Sequence, residues 1–333
     1  MPRPRKSCVG SRSHISLDAT ANRHVETNKR RAACFKDFTS WIKREIDLPL
    51  TQSCFPPLRM SEALTAYGKH LFYSGSPKYW FAETINTVID HFPNYKGQIP
   101  AAWTTLCRWE EAEPVERAMI MPPSIFKAAI SLSLLWGWYR FTGAMLLGFH
   151  GLLRPSEILP LRRSDLVLPK DVLSDEQICY VKILRSKTSR FMLRQHARVS
   201  DELTVLYLDA VFGNLANTEP LFNCSTSFFR TRWNRLFKHL GIATSEKANG
   251  LTPKALRGSD ASWLFHCTED VNRVLWRGRW QSKRTLEHYL QDVSGQALLA
   301  DLIQEKRDLC LELADAASHL LVMAVGRANA RPR

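Results

Sequence analysis

Six side chains between residues 154 and 289 combine the types that phosphoryl chemistry requires. In chain order they are Arg154, Lys187, Lys254, Arg257, Trp280 and Tyr289. A phosphoryl group under attack carries negative charge on its non-bridging oxygens, and a planar guanidinium can bind two of them with parallel hydrogen bonds. We therefore expect Arg154 and Arg257 to form a cationic clamp for a phosphodiester.

The remaining residues of this set supply a nucleophile and proton donors. A tyrosine hydroxyl, with a reference pKa of about 10, attacks phosphorus at neutral pH only where positive charge favours its deprotonated form. Lys187 can protonate a departing oxygen as a general acid. Glu157 follows Arg154 by three residues. Either it orients Arg154 within the site or the two form an ordinary surface ion pair.

The sequence around these residues resembles the tyrosine recombinase family, which includes the phage-type integrases. The resemblance is carried by residues 151–161 with Asp165 beyond them, by 251–257, by 278–280 and by 285–289. It also includes a basic segment between the two arginines and a separation of 32 residues from Arg257 to Tyr289. The match covers about residues 124–295. The part before it resembles the family's core-binding domain only in size, position and helicity.

That resemblance implies an activity and a set of partners. Tyr289 would attack double-stranded DNA, form a 3′-phosphotyrosyl bond and free a 5′-hydroxyl, with Lys187 as the general acid. Because the covalent bond conserves the energy for rejoining, no metal, ATP or other cofactor is expected. Recombination joins two duplexes with two protomers on each, so we expect a homotetramer on DNA. The chain would be a site-specific recombinase or integrase, encoded by a mobile element or its descendant.

Two positions depart from the common family pattern and leave other functions open. Lys254 stands where the family's HxxR motif begins with histidine, and lysine is a poorer base for the tyrosine proton. Trp280 stands where many members have a second histidine; tryptophan is known there, and its indole N–H can donate a hydrogen bond. One alternative is a DNA-binding protein that keeps the fold but has lost useful catalysis. Another is a type IB topoisomerase, which has similar catalytic residues.

The charge of the whole chain agrees with a polyanionic partner. Among 333 residues, 46 Lys and Arg face 32 Asp and Glu, for a net charge of +14. Three segments are basic and contain no acid, namely residues 178–200, 228–239 and 271–284. A solvated helix face normally mixes both signs, so these segments favour a phosphate-binding surface.

Other features indicate an intracellular protein without a membrane partner. The eight cysteines form no CxxC pair and no compact Cys/His cluster, which indicates reduced thiols and no zinc site. The apolar run over residues 128–153 contains Arg140, which is costly at bilayer depth. We therefore expect a buried core helix there, broken near Gly143 or Gly148. The expected location is at DNA, which in a eukaryote is the nucleus.

Apolar periodicity and turn residues divide the chain into five parts. We expect a basic, disordered arm over residues 1–35, a helical DNA-binding domain over 36–117, a linker over 118–124, a catalytic domain over 125–295, and a C-terminal helix and tail over 296–333. The expected fold class is mainly α with a small antiparallel sheet in the catalytic domain, preceded by an all-α bundle. The sheet is predicted as a hairpin of residues 177–184 and 191–200 with Lys187 in or beside its turn.

The two ends of the chain have open alternatives. Eight basic and two acidic residues give residues 1–35 a net charge of +6, which fits a solvated tail, a DNA-tracking arm or a nuclear-import patch. Near the C-terminus, apolar residues at helical spacing form a seam that either packs on the chain's own catalytic domain or docks on a neighbouring protomer. The seam residues are Leu302, Leu309, Leu313, Ala316, Leu320 and Met323.

Overall fold

The structure, a computed structural model, describes Arg23 and residues 25–114, 119–183, 195–245, 250–287, 289–290 and 297–330. Contacts between residues divide the chain into two compact units, Met1–Val115 and Glu116–Arg333. Each unit has a hydrophobic core of its own. The boundary lies just before the predicted linker at 118–124, and the first helix of the second unit begins inside that segment, at Pro123.

Helices make up the regular structure of the first unit. These are α1 (Val25–Glu45), α2 (Pro57–Tyr73), α3 (Lys78–His91) and α4 (Pro100–Ala112), with a 3-10 turn at Pro93–Tyr95. Apolar residues at helical spacing line one face of each helix, and these faces meet in a common core. The core includes Phe38, Leu64, Tyr67, Phe81 and Trp109. The predicted all-α bundle is confirmed.

Helix α1 begins inside the segment predicted as a disordered arm. Arg31 reaches α3, where its Nε donates to Glu83 at 2.8 Å and its Nη1 to Asp90 at 2.6 Å. Arg23 also donates to Asp90, with Nη2 2.6 Å from Oδ1. Burial of Asp90 favours its neutral form, but the two guanidinium groups outweigh this effect and hold its pKa below the ordinary value. The last part of the predicted arm therefore belongs to the bundle, whereas residues 1–22 lie outside the described part of the chain.

The second unit is mainly helical with one small sheet. Its helices are α5 (Pro123–Leu135), α6 (Tyr139–His150), α7 (Pro155–Ile158), α8 (Glu202–Phe212), α9 (Thr226–His239), α10 (Ala255–Thr268), α11 (Val271–Gly278), α12 (Lys283–Glu287) and α13 (Gln304–Asn329). Its strands are β1 (Leu166–Val167), β2 (Cys179–Ile183) and β3 (Gln195–Val199). Two 3-10 turns, Arg163–Asp165 and Pro169–Asp171, flank β1.

The sheet is antiparallel, with strand order β1-β2-β3. Val181 of β2 pairs with Leu166 on one side and with Ala197 on the other. Burial alternates along β2 and β3, so every second side chain enters the core. This confirms the predicted fold class, mainly α with a small antiparallel sheet. The predicted turn with Lys187 falls within residues 184–194, which lie outside the described residues.

The apolar run at 128–153 forms two helices, α5 and α6. They are separated at Gly137, which has a φ of 70° and so a conformation that disfavours side chains. The predicted break near Gly143 or Gly148 is wrong because both glycines lie inside α6 and serve packing. A Cβ at Gly143 would lie 2.6 Å from the ring of Phe212 on α8, and one at Gly148 would lie 2.7 Å from a side chain of α10.

The C-terminal helix α13 packs along α5 and α8 of its own unit. The Ser131 hydroxyl of α5 donates to the backbone carbonyl of Leu313, which requires a close approach of the two helices. Leu302 of the predicted seam is buried before α13 begins. Within α13 the buried stripe lies one residue beyond the predicted seam, because small side chains permit the close approach while the leucines flank it. It consists of Cys310, Ala314, Ala317, Leu321 and Ala324. Among the described helices, α13 is the one whose length and composition would suffice to cross a membrane.

Two glycines in helices of the second unit differ in what a methyl group would meet. At Gly143 a Cβ would collide with the Phe212 ring, so we expect Gly143→Ala to lower the free energy of unfolding by about 1–3 kcal/mol. At Gly326 in α13 a Cβ meets nothing within 4 Å, so Gly326→Ala should raise it by about 0.5–1 kcal/mol through helix propensity. Urea denaturation followed by circular dichroism measures both. Equal shifts would contradict the packing of α6 on α8.

Candidate active site

The candidate site forms where the ends of three helices meet in the second unit. Arg154 directly precedes α7, Arg257 lies in the first turn of α10, and Trp280 follows the end of α11. Leu152, at a φ of 50°, turns the chain between α6 and α7. A small apolar cluster packs these ends together; it consists of Leu152, Ala261, Val274, Trp280 and Leu286.

A buried carboxylate, Glu157, lies at the centre of the site. Its side chain is 2% exposed. Oε1 accepts a hydrogen bond from Nη1 of Arg154 at 2.8 Å, and Oε2 accepts one from the backbone N–H of Arg154 at 3.0 Å. Oε2 also accepts Nη2 of Arg279 at 3.1 Å, and Nη1 of Arg257 lies 3.8 Å from it. Glu157 is therefore not part of a surface ion pair.

Arg257 is almost completely buried but is only partly satisfied. Its Nη2 donates to the carbonyl of Gly278, and its Cζ lies 4.5 Å from the centroid of the Trp280 ring. Nε and Nη1 are buried and have no hydrogen-bond partner among the described residues. Buried guanidinium N–H groups without partners are rare, because each loses its interaction with water.

The surroundings of Arg257 act on its charge in both directions. Burial lowers the pKa of Arg257 to about 9, and the guanidinium groups of Arg154 and Arg279 act in the same direction. Glu157 and Tyr289 act in the opposite direction. Arg257 is thus a cation at neutral pH, and the three guanidinium groups exceed the single carboxylate in charge. The site favours an anion.

Trp280 lies between Arg257 and Tyr289. Its side chain is buried, and its Nε1 has no hydrogen-bond partner among the described residues. The centroid of its ring is 5.1 Å from that of Tyr289, with the ring planes 49° apart. Gly278 makes this position possible, because a Cβ there would lie 1.6 Å from the indole.

Tyr289 follows α12 and is half-buried against α10. The hydroxyl of Ser262 donates to the Tyr289 carbonyl at 2.7 Å, which fixes the backbone of this residue. A Cβ at Gly258, also on α10, would lie 3.4 Å from the Tyr289 ring. The phenol is therefore held between α10 and the Trp280 indole, close enough to Arg257 to influence its charge.

The architecture is similar to that of several proteins of known structure. No family model and no curated protein sequence matches the chain. XerA recombinase is similar over 84% of this chain and 93% of its own, at 16% sequence identity and a TM-score of 0.42. XerH site-specific recombinase bound to its difH substrate is similar over 83% and 94%, at 13% identity and a TM-score of 0.40. The integrase of transposon Tn1549, in complex with transposon right-end DNA, covers 83% of this chain and 93% of its own, at 12% identity and a TM-score of 0.53. The chain has the tyrosine recombinase fold.

Within the tyrosine recombinase fold, the structure brings together most of the residues singled out in the sequence. Arg257 interacts with the other members of the group, which are Arg154, Glu157, Trp280 and Tyr289. Lys254 is exposed and stands directly before α10. Lys187 lies outside the described residues.

Arg279 is a site residue that the sequence placed only in a basic segment. Its Nη2 donates to the carbonyl of Leu152 at 3.2 Å as well as to Glu157. Arg277, two residues earlier, donates instead to the hydroxyl of Ser200 at 3.2 Å. Nothing in the residue types separates the two arginines. The one sequence signal is that Arg279 directly precedes Trp280.

The described residues include thiols and possible metal ligands outside the site. Across the described ranges, no group of three or more His, Cys, Asp and Glu side chains is arranged to hold a metal ion. The described cysteines are free thiols. Burial raises the pKa of Cys179 to about 12, so this thiol stays protonated. The groups of the site itself are guanidinium, carboxylate, indole and phenol.

A second buried carboxyl, Asp260, lies one turn after Arg257 on α10. It is 6% exposed. Burial raises the pKa of Asp260 to about 7; Arg277 opposes this shift and Asp201 adds to it. Arg277 is itself anchored by Ser200. The carboxyl of Asp260 therefore changes charge near neutral pH.

We expect Asp260 to make stability depend on pH. Its folded-state pKa of about 7 exceeds the ordinary value of 3.8, so the stability that neutral Asp260 contributes is fully present below 3.8 and is lost as the pH rises through about 7. Asp260→Asn should therefore gain thermal stability relative to the wild type across that interval. Thermal midpoints measured at several pH values test this, with the exposed Asp315→Asn as the control. Parallel curves for wild type and Asp260→Asn would rule the effect out.

Proposed function

We propose that the chain is a site-specific DNA recombinase of the integrase type, which breaks and rejoins double-stranded DNA through a 3′-phosphotyrosyl intermediate on Tyr289. One observation carries the proposal. Three buried N–H donors beside Tyr289 have no hydrogen-bond partner among the described residues, namely Nε and Nη1 of Arg257 and Nε1 of Trp280. Such a set next to a nucleophile fits a ligand with several acceptor oxygens, and a DNA phosphate is one.

The two arginines of the sequence motif bind the phosphate in this proposal. Arg257 offers the two guanidinium atoms that the protein leaves unpaired. The Arg154 side chain is 30% exposed, so DNA can reach it while Glu157 holds its other edge. Negative charge on the non-bridging oxygens increases as Tyr289 attacks, so both contacts strengthen in the transition state.

The reaction conserves its bonds and protons. The Tyr289 hydroxyl releases its proton to solvent as its oxygen forms a bond to phosphorus; the bond from phosphorus to O5′ breaks, and the 3′ end of the strand stays on the tyrosine. Lys187 donates a proton to the departing O5′ oxygen, which leaves as a 5′-hydroxyl. Attack by a 5′-hydroxyl of a partner strand reverses these steps and reseals the DNA. The guanidinium groups stabilise the charge that a metal stabilises in other phosphoryl-transfer sites, so the proposal includes neither metal nor ATP.

Helix α9 supplies DNA contacts outside the site. Arg235 and Lys238 are exposed there. Arg232 lies 4.9 Å from the Trp138 ring and 4.6 Å from the Phe228 ring, which orients its guanidinium. Support for DNA as the partner comes from the Tn1549 integrase, which shares this fold and is bound to DNA. We further propose a homotetramer on DNA, an intracellular location and descent from a mobile element.

A second candidate function is DNA binding without strand cleavage. Lys254 favours it, because this residue occupies the position of the motif histidine and is exposed at the start of α10. An ammonium cannot accept the tyrosine proton unless it first loses its own. The arginine clamp and the fold would remain in such a protein.

Tyr289→Phe should abolish covalent capture of DNA and leave affinity for intact duplex nearly unchanged, because only the attacking hydroxyl is removed. The substrate is a library of nicked duplexes with random sequence around the nick. Cleavage beside the nick releases a short strand, so rejoining cannot occur and the covalent adduct is trapped. Protease-sensitive adducts are then counted after denaturation. The control, Tyr180→Phe on β2, should trap DNA like the wild type. An adduct with Tyr289→Phe would identify another nucleophile, and a wild type that binds but never traps DNA would favour the second candidate.

Arg154→Ala and Arg257→Ala should each slow adduct formation by about 100- to 1,000-fold at saturating DNA, because each removes charge-assisted donors from the transition state. Affinity for DNA should change much less. Arg235→Ala, on α9, is the matched control and should weaken DNA binding in a salt-dependent way without changing the rate at saturation. Unaltered rates in both alanine variants of the clamp would exclude this site.

A further inference from the structure

Arg279 has a backbone conformation that favours glycine. It follows α11 with φ 59° and ψ 36°, in the left-handed region where other residues are strained. Its backbone N–H caps α11 by donating to the carbonyls of Leu275 and Trp276, and glycine could do the same. The reason for an arginine at this position therefore lies in its side chain.

The guanidinium of Arg279 contacts other residues of the site. Its side chain is 11% exposed. Nη2 donates to the carbonyl of Leu152 at 3.2 Å and to Oε2 of Glu157 at 3.1 Å, and Nη1 lies 3.5 Å from the carbonyl of Gly151. These contacts join the chain after α11 to the turn that precedes α7.

Oε2 of Glu157 already accepts two strong hydrogen bonds, one from the backbone of Arg154 and one from Arg279. A carboxylate oxygen has about two lone-pair sites, so this oxygen is saturated. Nη1 of Arg257 lies 3.8 Å from it, which is too far for a hydrogen bond. Arg257 is thus attracted by the carboxylate without donating to it.

We propose that Arg279 is a positioning residue that occupies Oε2 of Glu157 and thereby keeps Arg257 away from the carboxylate. Nε and Nη1 of Arg257 then remain available for the scissile phosphate. The identity of that phosphate rests on the proposed function, whereas the spacing of the three side chains does not. Without the Arg279 side chain, Arg257 would close the gap of 3.8 Å and donate to Glu157.

Arg279→Gly tests the spacing directly, because glycine suits the backbone and removes the guanidinium. In a crystal structure of this variant we expect Nη1 of Arg257 at hydrogen-bond distance from Oε2 of Glu157, about 2.9 Å. An Arg257 that keeps its position overturns the proposal. The matched control is Glu269→Gly, which changes another left-handed residue, φ 49°, at the exposed end of α10. That variant should leave Arg257 where it is.

Trapping of nicked DNA tests the consequence for catalysis. Arg279→Gly should slow adduct formation by about 100-fold and leave affinity for intact DNA nearly unchanged, because a small displacement of a catalytic group is costly in rate. Glu269→Gly should react like the wild type. An Arg279→Gly variant as fast as the wild type overturns the proposal.

A second substitution separates this mechanism from a merely structural role. In the Arg279→Gly background, Glu157→Gln removes the negative charge that attracts Arg257, so the double variant should form adducts faster than Arg279→Gly alone. If Arg279 only supported the fold, the added substitution would slow the reaction further, and that result overturns the proposal. If the wild type forms no adduct, the proposed function fails, and the crystallographic comparison still decides the role of Arg279.

Discussion

The geometry of the candidate site depends on one buried carboxylate. A carboxylate as deeply buried as Glu157 is tolerated only when positive charge and hydrogen bonds replace water around it. It obtains both from guanidinium groups on three chain segments: Arg154 before α7, Arg257 in α10 and Arg279 after α11. Because a carboxylate accepts hydrogen bonds in limited directions, it also determines where these groups lie. One acid thus organises three cations, and their excess positive charge remains available to a bound anion.

The motif residues of the candidate site could be predicted from the sequence, but the role of Arg279 could not. The chemistry restricts which residue types stand in each motif, and this restriction pointed to the residues that the structure brings around Arg257. The part played by Arg279 could not be predicted, because it depends on a left-handed backbone that turns the chain back toward α7. Arg277 belongs to the same basic segment, yet it is directed toward Ser200. The spacing of the two arginines in the sequence does not predict that Arg279 contacts Glu157 and Arg277 contacts Ser200.

In the fold, too, some features follow from the local sequence and others depend on contacts with distant residues. Apolar periodicity predicts a mainly helical chain with a small sheet, because it records which face of each element is buried. The extent of α1 depends on Asp90 in another helix, whose carboxyl pairs with Arg23 and Arg31. Arg23 and Arg31 count as part of the basic N-terminal segment in the sequence, but in the structure they form ion pairs with Asp90 inside the bundle. The break between α5 and α6 lies at Gly137, the one of the three glycines with a positive φ, and apolar periodicity does not distinguish it from Gly143 and Gly148 inside α6.

The unpaired donors of Arg257 and Trp280 have a thermodynamic consequence beyond catalysis. Each buried N–H without a partner loses its hydrogen bonds to water on folding and gains none in return, so the site lowers the stability of the unliganded protein. A phosphate that satisfies these donors binds the folded chain and not the unfolded one, and such a ligand raises the free energy of unfolding. Occupancy of the site and persistence of the fold are therefore linked. In the proposed function, the same cluster that weakens the second unit off DNA would reinforce it on DNA.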